Sequence, residues 1–415
     1  MPALHHALLG VSVVALAVAG LRVASLLTER GLERMIAAAA FATAAAVGEA
    51  ILLGLVSLGG STAALTAAAL VTGAAALRWL PRPAVRPGDE LRAWWHARTP
   101  RERAGLGAVA GAALAWAAWQ LRHPALGFDT VHYHLPEFVI FVQGGQPGSV
   151  HDVLPGLPVG NYPLTTEVTV AWAMGIARSF VPLVLWPWFT LALTATSAFA
   201  GLRALGVSAA AACLAAAALC TNPWLLAWQS NGSVTDPPAL AWLVACAALC
   251  AMARARPALI APAIVAGGLA IGCKTTVLPF TLLALGLGLW GVRRAIPGRA
   301  VALATAAATL VGGVWYLRNL VTHGSPFWPI VATPWGDDVP ASVRLVHTSF
   351  IDRPRATIDL LGNSYLARFG GGLLLLAGGL LAPLAARRRR VLVAAIATLA
   401  GLLVWARSPV TGISP

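Results

Sequence analysis

The stretch Gly127-Phe128-Asp129-Thr130-Val131-His132-Tyr133-His134-Leu135-Pro136-Glu137 holds the densest set of reactive side chains in this chain. Asp129 follows directly on an apolar run, so its carboxylate sits where hydrocarbon meets water. Partial desolvation there suits a carboxylate to take a proton from a hydroxyl. Asp129, His132 and Tyr133 fall at helical spacing and can share one face, as can His134 and Glu137. Asp is also a favoured N-cap, and capping of the following helix by Asp129 is compatible with catalysis. The His132/His134 pair points in divergent directions on a helix and makes a poor metal site. Asp129 with Asp152 offers oxygen ligands to a divalent cation, the one cofactor the sequence admits.

Further groups punctuate the apolar runs that follow. Gly160-Asn161-Tyr162-Pro163-Leu164 reads as a turn leading into a short helix with Glu167. In Thr235-Asp236-Pro237-Pro238, Asp236 is placed as an N-cap with Pro at the first helical position, and Asn231-Gly232-Ser233 before it is a glycosylation sequon. Lys274, in Gly272-Cys273-Lys274-Thr275, is the single lysine among 29 basic residues. A compact ammonium at a membrane boundary either snorkels to water or meets an anionic lipid phosphate. Trp315-Tyr316-Leu317-Arg318-Asn319 ends another apolar run, with Arg318 available to an anion. Glu49 is an unpaired carboxylate inside a span, where protonation or a hydrogen bond to a neighbouring helix would accommodate it.

The elements that position these groups are membrane helices. The chain has 415 residues, 58% of them hydrophobic and 11% charged, with a mean hydropathy of +0.76. Average soluble chains are about 25% charged. A soluble enzyme, a secreted disulfide scaffold and a disordered chain are therefore excluded. About twelve segments approach the roughly 20 apolar residues a bilayer requires, near 7–27, 35–57, 61–79, 103–121, 180–200, 207–221, 237–253, 258–273, 276–291, 300–317, 370–386 and 391–406. The first run lacks a cleavage pattern and reads as a retained helix. The expected fold class is an all-α polytopic membrane protein. The five cysteines lie in apolar stretches without metal-ligand spacing and read as packing residues.

The net charge of +14 fits arginine-rich cytoplasmic connections, and no nucleic-acid module is visible. Placing the basic connections at 30–34, 78–103, 203, 254–256, 293–299 and 387–390 inside gives consistent alternation throughout. Thr165–Ala177 is too short to span, and counting it as a span would break that alternation. It is expected to be a surface helix lying along the membrane. Two large exterior loops result, 122–179 and 318–370. They carry most of the carboxylates and point to chemistry on the exterior face of a bacterial plasma membrane.

In order and placement, Asp129 with Tyr133-His134-Leu135-Pro136, Asn161-Tyr162-Pro163, Thr235-Asp236-Pro237, Gly272-Cys273-Lys274-Thr275 and Trp315-Tyr316-Leu317-Arg318-Asn319 through Pro329 resemble the GT-C superfamily of membrane glycosyltransferases. The likeness is closest to the polyprenyl-phosphate-sugar-dependent branch of protein O-mannosyltransferases and aminoarabinose transferases. The resemblance implies a GT-C-like architecture with short membrane-parallel helices in the exterior loops. It also implies inverting transfer of a sugar from a polyprenyl-phosphate donor to an acceptor hydroxyl on a glycan, lipid or protein. Asp129 would be general base, Lys274 and Arg318 would bind the donor phosphate, and His132, Tyr133, His134, Tyr162, Asp236 and Asn319 would line the substrate.

The resemblance covers about 103–335, a GT-C-like catalytic membrane core. Residues 1–102 then form an N-terminal three-span module with a basic connection, and 336–415 hold the remainder of the second loop and two spans. Two other functions compete. A non-catalytic transporter or flippase of glycolipids would place charges at mid-span, where Glu49 alone answers. A surface-glycan ligase or polymerase using lipid-pyrophosphate donors would use basic loop residues, and the second loop has Arg318, His323, Arg344, His347, Arg353 and Arg355.

Overall fold

The computed structural model describes residues 2–346 except Arg30, Ala125, 223–224, 227–231 and Ser233; beyond 346 it describes only isolated positions. All of its described elements are helical. In chain order they are α1 (Pro2–Ser25), α2 (Leu32–Gly54), α3 (Thr62–Trp79), α4 (Pro87–His96), α5 (Pro100–Arg122), α6 (Leu135–Gly144), α7 (Thr165–Ala177), α8 (Pro182–Ala204), α9 (Ala209–Cys220), α10 (Asp236–Ala253), α11 (Ile260–Cys273), α12 (Leu278–Val292), α13 (Gly298–Ala308), α14 (Val314–His323) and α15 (Ala341–Val346). A wide turn at Thr309–Gly313, with i→i+5 hydrogen bonding, joins α13 to α14 as one continuous helix.

Eight of these helices are long and apolar enough to cross a bilayer: α1, α2, α3, α5, α8, α10, Thr275–Val292 and Gly298–His323. This is the make-up of a membrane-embedded helical protein. Two expected segments, 207–221 and 258–273, appear as the shorter apolar helices α9 and Pro257–Cys273. The two expected spans at 370–386 and 391–406 lie outside the described residues, as do Asn231 and Ser233 of the sequon and His347 and Arg353 of the second loop. Apolar side chains such as Val14, Val71, Leu114, Leu214 and Leu282 face outward, as a lipid-facing surface requires.

The helices pack closely because the contact residues are small. Glycine is required where α11 crosses the α13–α14 helix: a Cβ on Gly312 would lie 1.9 Å from the Gly268 carbonyl oxygen. One hydrophobic core runs from Leu9 in α1 to Trp315 in α14. α2 packs against α7, α8, α10 and α11, so the first three helices share that core.

The connections sort to two ends. At one, Arg34 is fully buried; it donates to the carbonyls of Glu29 and Val85 and pairs with Glu90 at 2.7 Å. Arg256 reaches Thr28 and Glu33 at the same end, and Arg22 donates to the Leu80 carbonyl at 2.9 Å. This basic end gathers the connections expected on the cytoplasmic side. At the other, Gly59 N–H donates to Gly145 O at 2.8 Å, Arg178 donates to Gly60 O at 2.9 Å, and Arg318 donates to Gly148 O at 3.1 Å. This loop end gathers the long segment 123–181 and the start of the second loop. Arg34→Met removes the cation from Glu90, which keeps only the Gly31 N–H, and leaves two carbonyls without the donor they had. The expected cost is roughly 2–4 kcal/mol, the lower part of the range for a broken buried pair because Glu90 is partly exposed. Denaturant unfolding of the reconstituted protein measures it.

Two expectations need correction. α7 does not lie on the surface: all its residues except Ala173 are buried, and it packs against α1, α2, α3, α6, α8 and α11. The segment is too short to span, as expected, but it is received by neighbouring helices, with Thr165, Glu167 and Thr169 bonded within the protein. Glu49 is not unpaired: it accepts from the Thr72 hydroxyl at 2.7 Å and the Trp172 indole N–H at 3.2 Å. The hydrogen-bonded alternative is the one the chain adopts.

Candidate functional site

The site at the loop end begins with a wide helical turn. Residues Thr130–His134 bond i→i+5 before α6 continues, a geometry that recurs at functional sites. Asp129 enters this turn with helical dihedrals, φ −60° and ψ −39°, and its side chain makes no capping bond. The N-cap reading is therefore overturned. Asp129 is half-buried, and its carboxylate accepts no hydrogen bond among the described residues. The extra residue in the turn separates the two histidines. His132 is exposed, stacks on Phe128 with ring centroids 3.7 Å apart, and donates from Nδ1 to the Phe128 carbonyl at 2.9 Å. His134 points inward, 3% exposed, and donates from Nδ1 to Glu167 Oε1 at 2.7 Å. The divergence expected of the pair holds.

Tyr133 is the meeting point. Burial, and then the negative charges of Asp129, Glu167 and Asp236, hold its phenol well above the ordinary tyrosine range. It is therefore a neutral hydroxyl at any physiological pH, able to donate to an oxygen that gains charge. Tyr162 stands nearby, its own phenol pushed by burial up to about 12.

The two candidate phosphate-binding cations are held differently. Lys274 ends α11 and donates to both oxygens of Asp236, at 2.7 and 2.8 Å. Asp236 is the first residue of α10 rather than its cap, and Thr235 before it makes no side-chain cap. The expected capping role is thus replaced by an ion pair that brings the starts of two motifs together. Both side chains remain more than a third exposed, so the ammonium keeps a face toward solvent. Arg318 lies over the Trp315 ring, its guanidinium carbon 5.4 Å from the ring centroid. It donates to Gly148 O at 3.1 Å, Tyr162 O at 3.3 Å and Asn319 Oδ1 at 3.3 Å. A guanidinium has five N–H groups, so it retains capacity for an anion. Asn319 is buried, and its amide N–H groups are used on the Asn161 and Trp328 carbonyls, both at 2.7 Å. Asn319 therefore shapes the site by pinning two turns together.

α7 fixes this assembly from beneath. The Thr165 hydroxyl donates to the Val311 carbonyl in the wide turn of the last described span, and Trp315 Nε1 donates to Thr165 Oγ1 at 2.9 Å. Above it, Asn161, Tyr162, Thr275, Trp315, Tyr316, Asn319, Phe327 and Trp328 line a small cavity. His323 closes one edge: it stacks on Trp328 with centroids 3.6 Å apart, donates from Nδ1 to Asp337 at 2.8 Å, and faces the Asn161 amide at 3.0 Å. Aromatic faces beside amides suit a ligand with both C–H faces and hydroxyls.

The metal expectation changes. Asp152 is exposed, and the group able to hold an ion among the described residues is His134, Glu137 and Glu167, without Asp129 or Asp152. Sequence reasoning missed Glu137, Glu167 and Asn161 as site residues. The i, i+3 spacing of His134 and Glu137 was the only local signal, because Glu167 arrives from a separate helix. Glu137 is 2% exposed; burial first, then the charge of Glu167, raise its pKa well above the usual carboxylate range, with Arg318 opposing. Compared with protein-family models, with curated proteins and with solved structures, the chain gives no match.

Proposed function

We propose that the protein is an integral membrane glycosyltransferase that moves a sugar from a polyprenyl-phosphate donor to an acceptor hydroxyl at the loop end, on the exterior face of a bacterial plasma membrane. The observation that carries this is the company of Tyr133: the unbonded carboxylate of Asp129, Asp236 with its partner Lys274, and Tyr162, whose carbonyl accepts from Arg318. In the reaction, the acceptor oxygen attacks the anomeric carbon from the face opposite the phosphate. Its proton passes to Asp129. The bond from the anomeric carbon to the phosphate oxygen breaks, and the electron pair leaves with the lipid phosphate. Lys274 and Arg318 stabilise the charge that builds there. Holding a membrane-bound donor against the acceptor removes much of the entropic barrier.

The competing functions have less support. The mid-span carboxylate that a transporter would use is already hydrogen-bonded to Thr72 and Trp172. Of the basic residues a ligase would use, His323 is paired with Asp337 and Arg344 lies 4.0 Å from Asp338.

The test is transfer by the purified protein in bilayers, with a panel of radiolabelled polyprenyl-phosphate sugars and membrane extract as acceptor. Label moving to acceptor from one donor supports the reading and identifies the sugar. Glycolipid crossing the bilayer with no transfer overturns it. Lys274→Met is expected to raise the donor KM about 10- to 100-fold, the equivalent of losing a hydrogen bond to a charged group.

A further inference from the structure

We infer that His134, Glu137 and Glu167 form a binding site for a first-row divalent transition ion such as Zn²⁺ or Mn²⁺, clamping the start of the first loop onto α7. This inference rests on the packing of α6 and α7 and is independent of the transferase reading.

Each of the three residues offers a ligand atom, and these atoms all lie within 4.8 Å of one another. His134 and Glu137 are three apart where the wide turn passes into α6, so both face α7; Glu167 rises from the first turn of α7 to meet them. All three are at least 97% buried, with exposures of 3%, 2% and 1%. Two carboxylate oxygens in this buried space, Glu137 Oε1 and Glu167 Oε2, have no hydrogen-bond partner. Buried polar atoms are nearly always bonded, and leaving one without a partner is costly. Two carboxylates this deeply buried beside each other also repel. His134 bonds only Oε1 of Glu167, so Oε2 and the Glu137 oxygen near it are left without a donor.

A divalent cation resolves both the missing bonds and the excess charge. Metal–ligand bonds of about 2.1 Å place tetrahedral ligand atoms about 3.4 Å apart, inside the 4.8 Å that encloses the three present atoms. One imidazole with two carboxylates favours a borderline first-row ion over Ca²⁺ or Mg²⁺, which take oxygen ligands alone. Loading exchanges the His134–Glu167 hydrogen bond for one bond from each residue to the ion, with the imidazole proton moved to Nε2. His134 is already oriented for this by Tyr133 and by Phe138, their centroids 4.1 and 6.3 Å from its own.

The experiment uses full-length protein in nanodiscs, purified without a metal resin. Elemental analysis is expected to find about one ion per chain in the wild type and in Asp152→Asn, whose carboxylate is exposed, and less than a tenth of that in Glu137→Gln and Glu167→Gln. After chelation, added Zn²⁺ should raise the thermal unfolding midpoint of the wild type and leave that of Glu167→Gln unmoved. Co²⁺ added to the stripped wild type should give visible absorption bands of a mixed nitrogen–oxygen site, a readout that needs no variant to fold. A wild type free of metal, with no midpoint shift on Zn²⁺ or Mn²⁺ and no cobalt bands, overturns the inference. So does a metal content in both glutamine variants equal to that of the wild type.

Discussion

Asp129→Asn should lower sugar transfer by about 10²–10⁴-fold, the usual contribution of a positioned general base, while donor binding is retained. The substitution is isosteric. The carboxylate accepts no hydrogen bond among the described residues, so its removal strands no partner, and the unfolding midpoint should stay near that of the wild type. The acceptor hydroxyl must shed its proton as its oxygen bonds to carbon, and an amide cannot take it. The loss should therefore fall on kcat rather than on the donor KM, the opposite of Lys274→Met. Equal transfer by wild type and variant would remove Asp129 from the chemistry and move attention to the second loop.

Gly312→Ala should have the second large effect. A Cβ there would sit 1.9 Å from the Gly268 carbonyl oxygen, and one on Gly268 would sit 2.6 Å from Ala308 Cα. Both obstacles are backbone, so no side chain can turn aside and the helices must separate. Overpacking of this kind costs about 1–3 kcal/mol or more. The damage also reaches the site: Lys274 follows Gly268 along α11, and Arg318 follows Gly312 along α14, so parting the crossing parts the two cations. Both the unfolding midpoint and the transfer rate should fall, with Asp129 untouched. Gly313→Ala is the control. A Cβ there meets only the Thr309 side chain, at 3.4 Å, and removing a helical glycine favours the helix by up to about 1 kcal/mol. Its midpoint should hold or rise.

The spans were legible because each is a long apolar run, and length alone separates them from core helices of soluble proteins. The grouping of connections at two ends was legible from arginine placement. α7 was not: an apolar segment too short to span suggests a helix along the membrane surface, and nothing local reveals that Val311, Trp315 and His134 meet Thr165 and Glu167. The site was half legible. Asp129, Tyr133, Lys274 and Arg318 stood out as polar residues at the edges of apolar runs. Their partners did not, because each pairing is distant in sequence: Lys274 with Asp236, Arg318 with Gly148 and Tyr162, His134 with Glu167. A spacing rule sees one turn of helix and cannot see two helices converge.

The burial of α7 constrains how the chain can be made. A segment of 13 residues with an internal glutamate is too short and too polar to be retained in a bilayer on its own. It must be received by protein already in place. Three of the helices that cover it, α1, α2 and α3, are synthesised before it, whereas its anchor at Val311 emerges 146 residues after Thr165. The N-terminal helices thus act as a cradle during synthesis. They hold the short helix through Thr62, Gly60 and Glu49 until the last described span arrives to lock it. The first hundred residues contribute few reactive groups, and this order of assembly gives them a task that precedes any turnover.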